Sequence, residues 1–289
     1  MNRVHKSTLT IVILLLILQG GLLFLLVSNE GQVPTGTHRS LFLSMDFYEE
    51  AYESVGDGFV YESQGVKAVI VPHHLFVKGK IASLFKSLEE NNYKQIIMIG
   101  PDHMNDSGFN VIVSDYAWQT PYGQIMSDRK MFSSLLQSGL VNQNEFAMGA
   151  EFSISGLVSF VKKSFPTAVF TPIVIATGTS KDNLDRLVKV IHDNQTRNSL
   201  IIASVDFSHY RTATEAEVVD EYSIEVVNSF NISDALSLDV DSPESIYMVM
   251  NLASAAGSEN VKHLSHTNSG ILLPAQKEDA VTHNIFAFY

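Results

Sequence analysis

The sequence predicts an α/β protein with a mostly parallel central sheet, helices on both faces and one transmembrane helix ahead of the sheet. Short β-branched apolar segments alternate with segments of helical periodicity, which is the pattern of a parallel sheet covered on both sides. The first thirty residues contain one long uncharged apolar run. The rest of the 289-residue chain has no internal repeat and no Pro/Gly/Ser-rich linker, so we expect one α/β domain.

The apolar run near the N-terminus, Leu9–Val27, has 19 residues and no charge. A helix of that length rises roughly 28 Å, close to the hydrocarbon thickness of a bilayer. Arg3 and Lys6 precede the run and Glu30 follows it, so the positive-inside rule places the N-terminus in the cytoplasm. We therefore predict a single-pass membrane protein whose main domain lies outside the cytoplasm. A cleaved signal peptide is the alternative, although its apolar region is usually about 7–15 residues.

This interpretation divides the chain into a cytoplasmic tail (1–8), a transmembrane anchor (9–27), a spacer (28–40) and an α/β domain (41–289). From the anchor onward the chain carries 17 basic and 31 acidic residues. Such an acidic surface repels phosphate backbones, so no nucleic-acid partner is expected. The chain has no cysteine, which excludes disulfides and thiolate metal sites.

Predicted strands and helices alternate along the α/β domain. The strands are Val66–Val71, Gln95–Ile99, Asn110–Val113, Val169–Ile175 and Leu200–Ser204. The helices are Lys80–Asn91, Asp128–Ser138, Ile154–Ser164, Lys181–Asn194, Glu215–Ser229 and Pro243–Ala256. Ligands of such sheets bind beyond the carboxyl ends of the strands, so the polar residues that follow each strand are the candidates for a site.

Three of the predicted strands are followed by histidines and aspartates. These residues are His73 and His74, then Asp102 and His103, then Asp206 and His209. Imidazole is the commonest metal ligand in proteins and also transfers protons, and carboxylates complete many metal sites. One histidine at a strand end is more often a hydrogen-bonded structural residue. Three such junctions favour a metal site, although the chain has no local HExxH motif to support it.

Five short motifs follow one another between Val71 and Tyr210: VPHHL, GPDH, TPYG with a later Asp128, EFSIS and SVDFSHY. With these motifs the chain resembles, from about Gly65 to the C-terminus, the Memo family, which includes the bacterial AmmeMemoRadiSam system protein B. Each family motif has a counterpart, in the same order. PHAGY resembles Val71–Leu75, GPSH resembles Gly100–His103, TPLG followed by an aspartate resembles Thr120–Gly123 with Asp128, EHS(I/L)E resembles Glu151–Ser155, and SSDFSHY resembles Ser204–Tyr210.

The resemblance implies a fold like that of the class III extradiol dioxygenases, which bind non-haem iron through two histidines and a carboxylate. The family histidines correspond to His73 and His103, with Asp206 and His209 beside them. A cysteine of a CGxxPI motif is the family's further ligand, and both copper and iron binding are associated with the family. By the same alignment His74, Asp102 and Glu151 are candidates for outer positions around the metal.

The chain departs from the family pattern in three places. Asp241 occupies the position of the cysteine, and Phe152 replaces the histidine of EHS. The glycine of PHAG is missing, and His74 follows His73 instead. If Asp241 is a ligand, the set of His73, His103 and Asp241 suits Fe(II), so a divalent ion is expected with iron favoured over copper or zinc. If it is not, the site has drifted and serves binding alone.

Two functions follow from these residues. One is a metal-dependent oxidoreductase that uses oxygen or another redox reaction, in which His209 handles a proton and Asp206 orients it. The other is a non-enzymatic scaffold that binds a metal or a partner. In either case we expect a small-molecule or peptide ligand at the His/Asp pocket, and contact with the membrane through residues 9–27.

Overall fold

The structure is a computed structural model that describes residues 36–55, 61–104, 107–273 and 277–289. Its strands are β1 (Thr37–Arg39), β2 (Ala68–Val71), β3 (Gln95–Pro101), β4 (Val111–Val113), β5 (Ala117–Thr120), β6 (Gly123–Ser127), β7 (Asn142–Gln143), β8 (Val169–Ile175), β9 (Ser199–Ser204), β10 (Val261–Asn268) and β11 (Thr282–Phe288). Its α-helices are α1 (Met45–Glu53), α2 (Lys78–Leu88), α3 (Arg129–Gln137), α4 (Glu145–Ala150), α5 (Phe152–Ser155), α6 (Val158–Ser164), α7 (Lys181–Asn194), α8 (Ala213–Asn228), α9 (Pro243–Ala255) and α10 (Ser269–Leu272). Short 3₁₀ turns cover Leu75–Val77, Glu89–Asn91 and Ile232–Ser237.

The strands pair in one mixed sheet of order β1-β5-β6-β8-β3-β9-β2-β11-β10, and β4 pairs with both β8 and β7. The four central strands, β8, β3, β9 and β2, run parallel to one another. Val71 pairs with Ser204, and Ile99 pairs with Ala203. The carboxyl ends of β2, β9 and β3 therefore lie at the same edge of the sheet.

Helices cover both faces of the sheet because successive strand residues point to opposite sides. In β3, Ile96 and Met98 belong to a core that includes α1, α2 and α6. Ile97 and Ile99 belong to a second core that includes α3, α7, α8 and α9. All four side chains are fully buried, as expected for a central strand between two helical layers.

The five predicted strands and six predicted helices are present, with ends within three residues of those predicted. The predicted helix 154–164 is interrupted at Gly156, so that α5 ends at Ser155 and α6 begins at Val158. The strand β1 lies inside the segment predicted as a spacer, and it pairs in parallel with β5. The compact unit consequently begins at Gly36, a few residues before the predicted start of the α/β domain.

The prediction of a mostly parallel sheet is wrong at both edges. β11 is antiparallel to β2 and to β10, β6 is antiparallel to β5, and β4 is antiparallel to β8. The sequence does not predict β10, because its VKHLSHTN segment is largely polar and only its last two residues are buried. Short antiparallel strands that extend a parallel centre give a mixed sheet, a common arrangement among large sheets.

The prediction of a transmembrane helix ahead of the sheet is also corrected. Within the described residues no helix is long and apolar enough to cross a membrane. A spanning helix needs about 20 mainly apolar residues, whereas the two longest described helices, α8 and α7, have 16 and 14 residues and carry charges. The predicted span, residues 9–27, lies outside the described residues. The described residues therefore do not support the predicted location as a single-pass membrane protein with its main domain outside the cytoplasm.

Candidate metal centre

The loops that follow β2, β3 and β9 carry the predicted site residues to one edge of the sheet. Asp241, just before α9, reaches the same edge because its backbone N–H donates to the carbonyl oxygen of Asp206 at 3.1 Å. Five side chains meet there, namely His73, His103, Asp206, His209 and Asp241. The structure thus brings together the three predicted ligands and the two predicted catalytic residues.

The ring of His73 is buried and held by two serines. Its Nδ1 lies 3.2 Å from the hydroxyl of Ser204, which donates its hydrogen to the carbonyl oxygen of Ser153 at 2.6 Å. Because that hydroxyl has no second hydrogen, Nδ1 of His73 carries a proton and donates it to Ser204. Burial lowers the pKa of His73, so the ring is neutral and Nε2 presents a lone pair. That lone pair faces Oδ2 of Asp241 at 3.3 Å and Oδ2 of Asp206 at 3.4 Å.

His103 is oriented by Glu151, which accepts from its Nδ1 at 2.7 Å and from its backbone N–H at 3.0 Å. Burial alone would raise the pKa of Glu151, but the hydrogen bonds and charge of His103 hold it below the usual range. Glu151 is therefore an ionised acceptor, and Nε2 of His103 is left facing Oδ2 of Asp241 at 3.8 Å. A carboxylate in this position fixes the tautomer of a metal-binding imidazole.

His209 is oriented by the backbone. Its Nδ1 lies 2.6 Å from the carbonyl oxygen of Phe207, which can only accept, so Nδ1 is protonated and Nε2 is free to face the cluster. The predicted orienting role of Asp206 is thus filled by this carbonyl. The next residue, Tyr210, has a φ of +56°, a left-handed conformation that is uncommon for an aromatic residue. Its ring is exposed beside His209.

Asp206 and Asp241 are two carboxylates in one buried site. The backbone N–H of Asp206 donates to Oδ2 of Asp241 at 3.1 Å. Burial, and then the charge of Asp206, raise the pKa of Asp241 well above its usual range. Burial would also raise the pKa of Asp206, but the neighbouring imidazoles, His73 first, lower it. The pair therefore favours a proton on Asp241 unless a cation takes the place of that proton.

These atoms fit a divalent metal ion. The candidate ligand atoms lie within 4.8 Å of one another in two overlapping groups, His73–His103–Asp241 and Asp206–His209–Asp241. Oδ1 of each aspartate is buried and has no hydrogen-bond partner among the described residues. A cation between the unprotonated Nε2 atoms and the Oδ2 atoms that they face would offset the cost of burying these two carboxylates and acceptor nitrogens. The described residues thus contain His/Asp clusters that can bind a metal ion.

Two predicted outer residues point away from the cluster. Nδ1 of His74 lies 2.9 Å from Nε2 of His283, so these two imidazoles form a pair beside the site. Burial lowers the pKa of His283 to about 4, so its ring is neutral. Asp102 turns toward its own loop, where its carboxylate accepts from the backbone N–H of Ser107 at 3.4 Å.

Three further residues build the site, and none of them was predicted to do so from the sequence. Ser204 and Ser153 determine which nitrogen of His73 is free, and the SVDFSHY and EFSIS motifs that contain them were the available signal. His283 lies on β11, which pairs with β2 in a register that continues toward His73. His283 and its partner His74 are 209 positions apart in the chain, so no short sequence motif indicates their contact.

Four of the five cluster residues, all except Asp241, form the polar floor of a pocket of about 420 Å³. Its lining includes the imidazoles of His73, His103 and His209, together with apolar side chains from five segments of the chain. A hollow of about 480 Å³ lies at the opposite end of β9, near Ser199, and contains none of the site residues. The metal cluster therefore opens to a space of the size that small ligands occupy.

Comparison with known proteins decides the family. The family model described as Memo-like protein matches residues 44–283, which include every candidate ligand. The chain belongs to the Memo family. It is similar to a MEMO1 family protein of Caldivirga maquilingensis, at 25% identity over 72% of this chain and 78% of that protein. It is also similar to MEMO1 family protein PAE0818 of Pyrobaculum aerophilum, at 25% identity over 76% of this chain and 82% of that protein.

A third Memo relative, a MEMO1 family protein of Aquifex aeolicus, is 28% identical over 57% of this chain and 62% of that protein. Two of the residues at which the sequence resemblance implies a departure from the family motifs lie in the cluster: Phe152 stacks on His103, and Asp241 faces His73.

Ser204→Ala is expected to weaken metal binding by about 10- to 100-fold, because loss of a partner that fixes a ligand imidazole has effects of this size. Without the hydroxyl, Nδ1 of His73 loses its acceptor and the ring is free to change tautomer. Competition titration with a chromophoric chelator measures the change. Ser223→Ala is the matched control, since that buried hydroxyl has no hydrogen-bond partner among the described residues. Equal affinity in the Ser204 and Ser223 variants would contradict the role of Ser204.

Proposed function

We propose that this Memo-family protein is a metal-dependent oxidoreductase that holds a divalent ion, iron(II) before copper or zinc, through His73, His103 and Asp241. One observation carries the proposal. Two imidazoles at the floor of an open pocket, His73 and His103, direct unprotonated Nε2 atoms at one carboxylate, that of Asp241. Two histidines and one carboxylate form the ligand set of non-haem iron(II) oxygenases, which leaves coordination positions open.

The ion and the residues beside it would have separate chemical roles in this site. When bound, the ion supplies a Lewis acid and a redox centre for dioxygen or water. His209, with Nδ1 held by the carbonyl oxygen of Phe207, offers Nε2 as an acceptor or donor of a proton. Asp206, buried and with its pKa lowered by the neighbouring imidazoles, would stabilise an imidazolium at His209 while that proton is held. A small-molecule or peptide ligand would enter from the open side of the pocket.

The test is whether the protein binds iron and leaves a position open. The full chain is reconstituted with iron(II) without oxygen, its metal content is measured by elemental mass spectrometry, and nitric oxide is added as a probe. Near-stoichiometric iron with the electron-spin resonance signal of an iron(II)–nitric oxide complex is the expected result. Iron without that signal would favour the alternative, a scaffold whose metal site is closed. No metal uptake would overturn the proposal.

Asp241→Cys is expected to move the metal preference from iron(II) toward copper(I) and zinc, because a thiolate is a softer ligand than a carboxylate. The selectivity of copper(I) over iron(II), measured by competition with chelators of known affinity, should rise at least about 100-fold. Asp239→Cys is the control, since it adds a thiol two residues away on an exposed, ion-paired position. An equal rise in both variants would show that a surface thiol, and not the site, captures the metal.

A further inference from the structure

The pocket above the metal cluster has walls of exposed apolar side chains. Leu41, Phe42, Phe76, Phe152 and Tyr210 line it, and between 39% and 88% of each side chain is accessible to solvent. Single exposed apolar residues are ordinary, but a contiguous group around a cavity marks a surface that another molecule covers.

These side chains come from separate parts of the fold. Leu41 and Phe42 follow β1, Leu75 and Phe76 form the turn after β2, and Phe152 begins α5. Tyr210 and Val281 complete the lining, one after β9 and one just before β11. Convergence of apolar side chains from several loops gives the pocket a continuous apolar wall.

Charge is confined to the floor of the pocket. All of the polar lining residues are site residues or the adjacent His74, and no lysine or arginine is among the lining residues of the described chain. A phosphate, sulfonate or carboxylate on the body of a ligand would find no cationic partner along the wall. An ammonium group there would find aromatic rings but no carboxylate above the floor, and a cation–π contact of about 0.5–1 kcal/mol at an exposed site does not offset the loss of its hydration.

Phe152 joins the floor to the wall. Its ring stacks on the ring of His103, with centroids 3.8 Å apart and planes inclined by 26°. Its edge also meets the ring of His73, at 5.4 Å and 73°. A histidine at this position would place another polar group against the ligands, whereas phenylalanine extends the apolar surface to the candidate ligands themselves.

We infer that the ligand of this pocket is a small molecule with an uncharged apolar body, aromatic or alkyl, and one oxygen-donor head that reaches the metal floor. This inference rests on the proposed function for the head and on the apolar wall for the body. The volume of about 420 Å³ lies within the range of small-ligand pockets. A peptide would need a wider surface with hydrogen-bond partners for its backbone, and the wall side chains offer almost none.

The test uses hydroxamates, whose head chelates metal and whose body is varied. The iron-loaded protein is titrated calorimetrically with acetohydroxamate, octanohydroxamate and octanohydroxamate analogues that end in a carboxylate or an ammonium group. Octanohydroxamate should bind at least about 30-fold more tightly than acetohydroxamate. This factor is well below the gain in affinity expected if all six additional methylene groups were fully buried. The analogue that ends in a carboxylate and the analogue that ends in an ammonium group should each bind at least about tenfold more weakly than octanohydroxamate. Equal affinities across the series, or tighter binding of a triglycine hydroxamate, would overturn the inference.

The variant Phe42→Ser/Phe76→Ser should reduce the preference for octanohydroxamate at least about tenfold, while leaving iron content and acetohydroxamate affinity unchanged. Phe146→Ser is the matched control, because that ring is 85% exposed and lies outside the pocket. A preference that survives in the double variant would contradict the assignment of the wall.

A metal-free arm separates this inference from the proposed function. N-phenyl-1-naphthylamine and 8-anilinonaphthalene-1-sulfonate share one ring skeleton and differ by a sulfonate, and the fluorescence of both rises in apolar sites. The uncharged probe should bind at least about tenfold more tightly than the sulfonate, and Phe42→Ser/Phe76→Ser should weaken it. Failure of iron uptake with this preference intact would reject the proposed metal and keep the apolar wall. Iron uptake without the preference would reject the wall alone.

Discussion

A His73→Ala/His103→Ala protein is expected to bind metal more than about 100-fold more weakly than the wild type, beyond the loss of about 10- to 100-fold caused by removing an outer partner. Both imidazoles present Nε2 to the same oxygen, Oδ2 of Asp241, at 3.3 Å and 3.8 Å. Removing them deletes two of the three proposed ligands, and the group that remains, Asp206, His209 and Asp241, lacks both of the imidazoles that face Oδ2 of Asp241. Elemental mass spectrometry after anaerobic reconstitution with iron, copper or zinc measures the loss.

The control for this double variant removes two imidazoles elsewhere. His38→Ala/His192→Ala deletes one buried ring, which hydrogen-bonds to Glu145 and Ser114, and one exposed ring. That protein should retain the metal content of the wild type, and thermal unfolding should show that both variants remain folded. Retention of near-stoichiometric metal by the His73/His103 variant would place the metal elsewhere and remove the basis of the proposed function.

The central sheet was predictable from the sequence because its strands are buried on both faces. The segment that forms β8 is a continuous β-branched and apolar run, and its predicted ends are the observed ones, Val169 and Ile175. The same reasoning fails for β10, whose residues Val261–Ser265 are exposed or half-buried and largely polar. A run of buried apolar residues is what identifies a strand in the sequence, so an edge strand with a solvent-exposed face is difficult to predict.

For the site, the sequence located residues but not their hydrogen bonds. His73 and His103 follow parallel strands, and the topology of such sheets brings strand ends together. The tautomer of His73 depends on Ser204 and Ser153, whose contacts span 131 and 51 positions of the chain. The contact between His74 and His283 depends on the pairing of β11 with β2, which only the folded sheet defines.

The Asp241→Asn protein is expected to be more stable than the wild type without metal and less stable than the wild type when iron is bound. An asparagine has the charge of the protonated carboxyl, and the amide atom at the position of Oδ2 can either accept from the N–H of Asp206 or donate to Nε2 of His73. In the metal-free wild type the pKa of Asp241 is raised above its unfolded value of about 3.9, first by burial and then by Asp206. The folded protein therefore binds more protons than the unfolded chain between those two values.

The sign of the pH dependence follows from this difference. The stability contributed by protonated Asp241 is fully present below about pH 4 and is lost as the pH rises through its raised pKa. The asparagine variant has no carboxyl group to deprotonate at this position, so it does not lose this contribution to stability as the pH rises. The metal-free variant should match the wild type near pH 4 and exceed it by about 1–3 kcal/mol at pH 8, the cost of an unsatisfied buried group. Urea unfolding of both proteins between pH 4 and pH 8 measures the divergence.

Metal should invert this ranking, because an amide is a weaker ligand than a carboxylate. With iron present, the wild type gains stability from binding in proportion to the logarithm of free metal over its dissociation constant, and the variant gains much less. Asp239→Asn, on an exposed carboxylate paired with Arg211, should change stability little at any pH and equally with and without metal. If Asp241→Asn were less stable than the wild type at pH 8 without metal and bound iron as tightly, Asp241 would be neither the protonated partner of Asp206 nor a ligand. The opposite result would show that this carboxylate lowers the stability of the metal-free fold and is retained for the ion it binds.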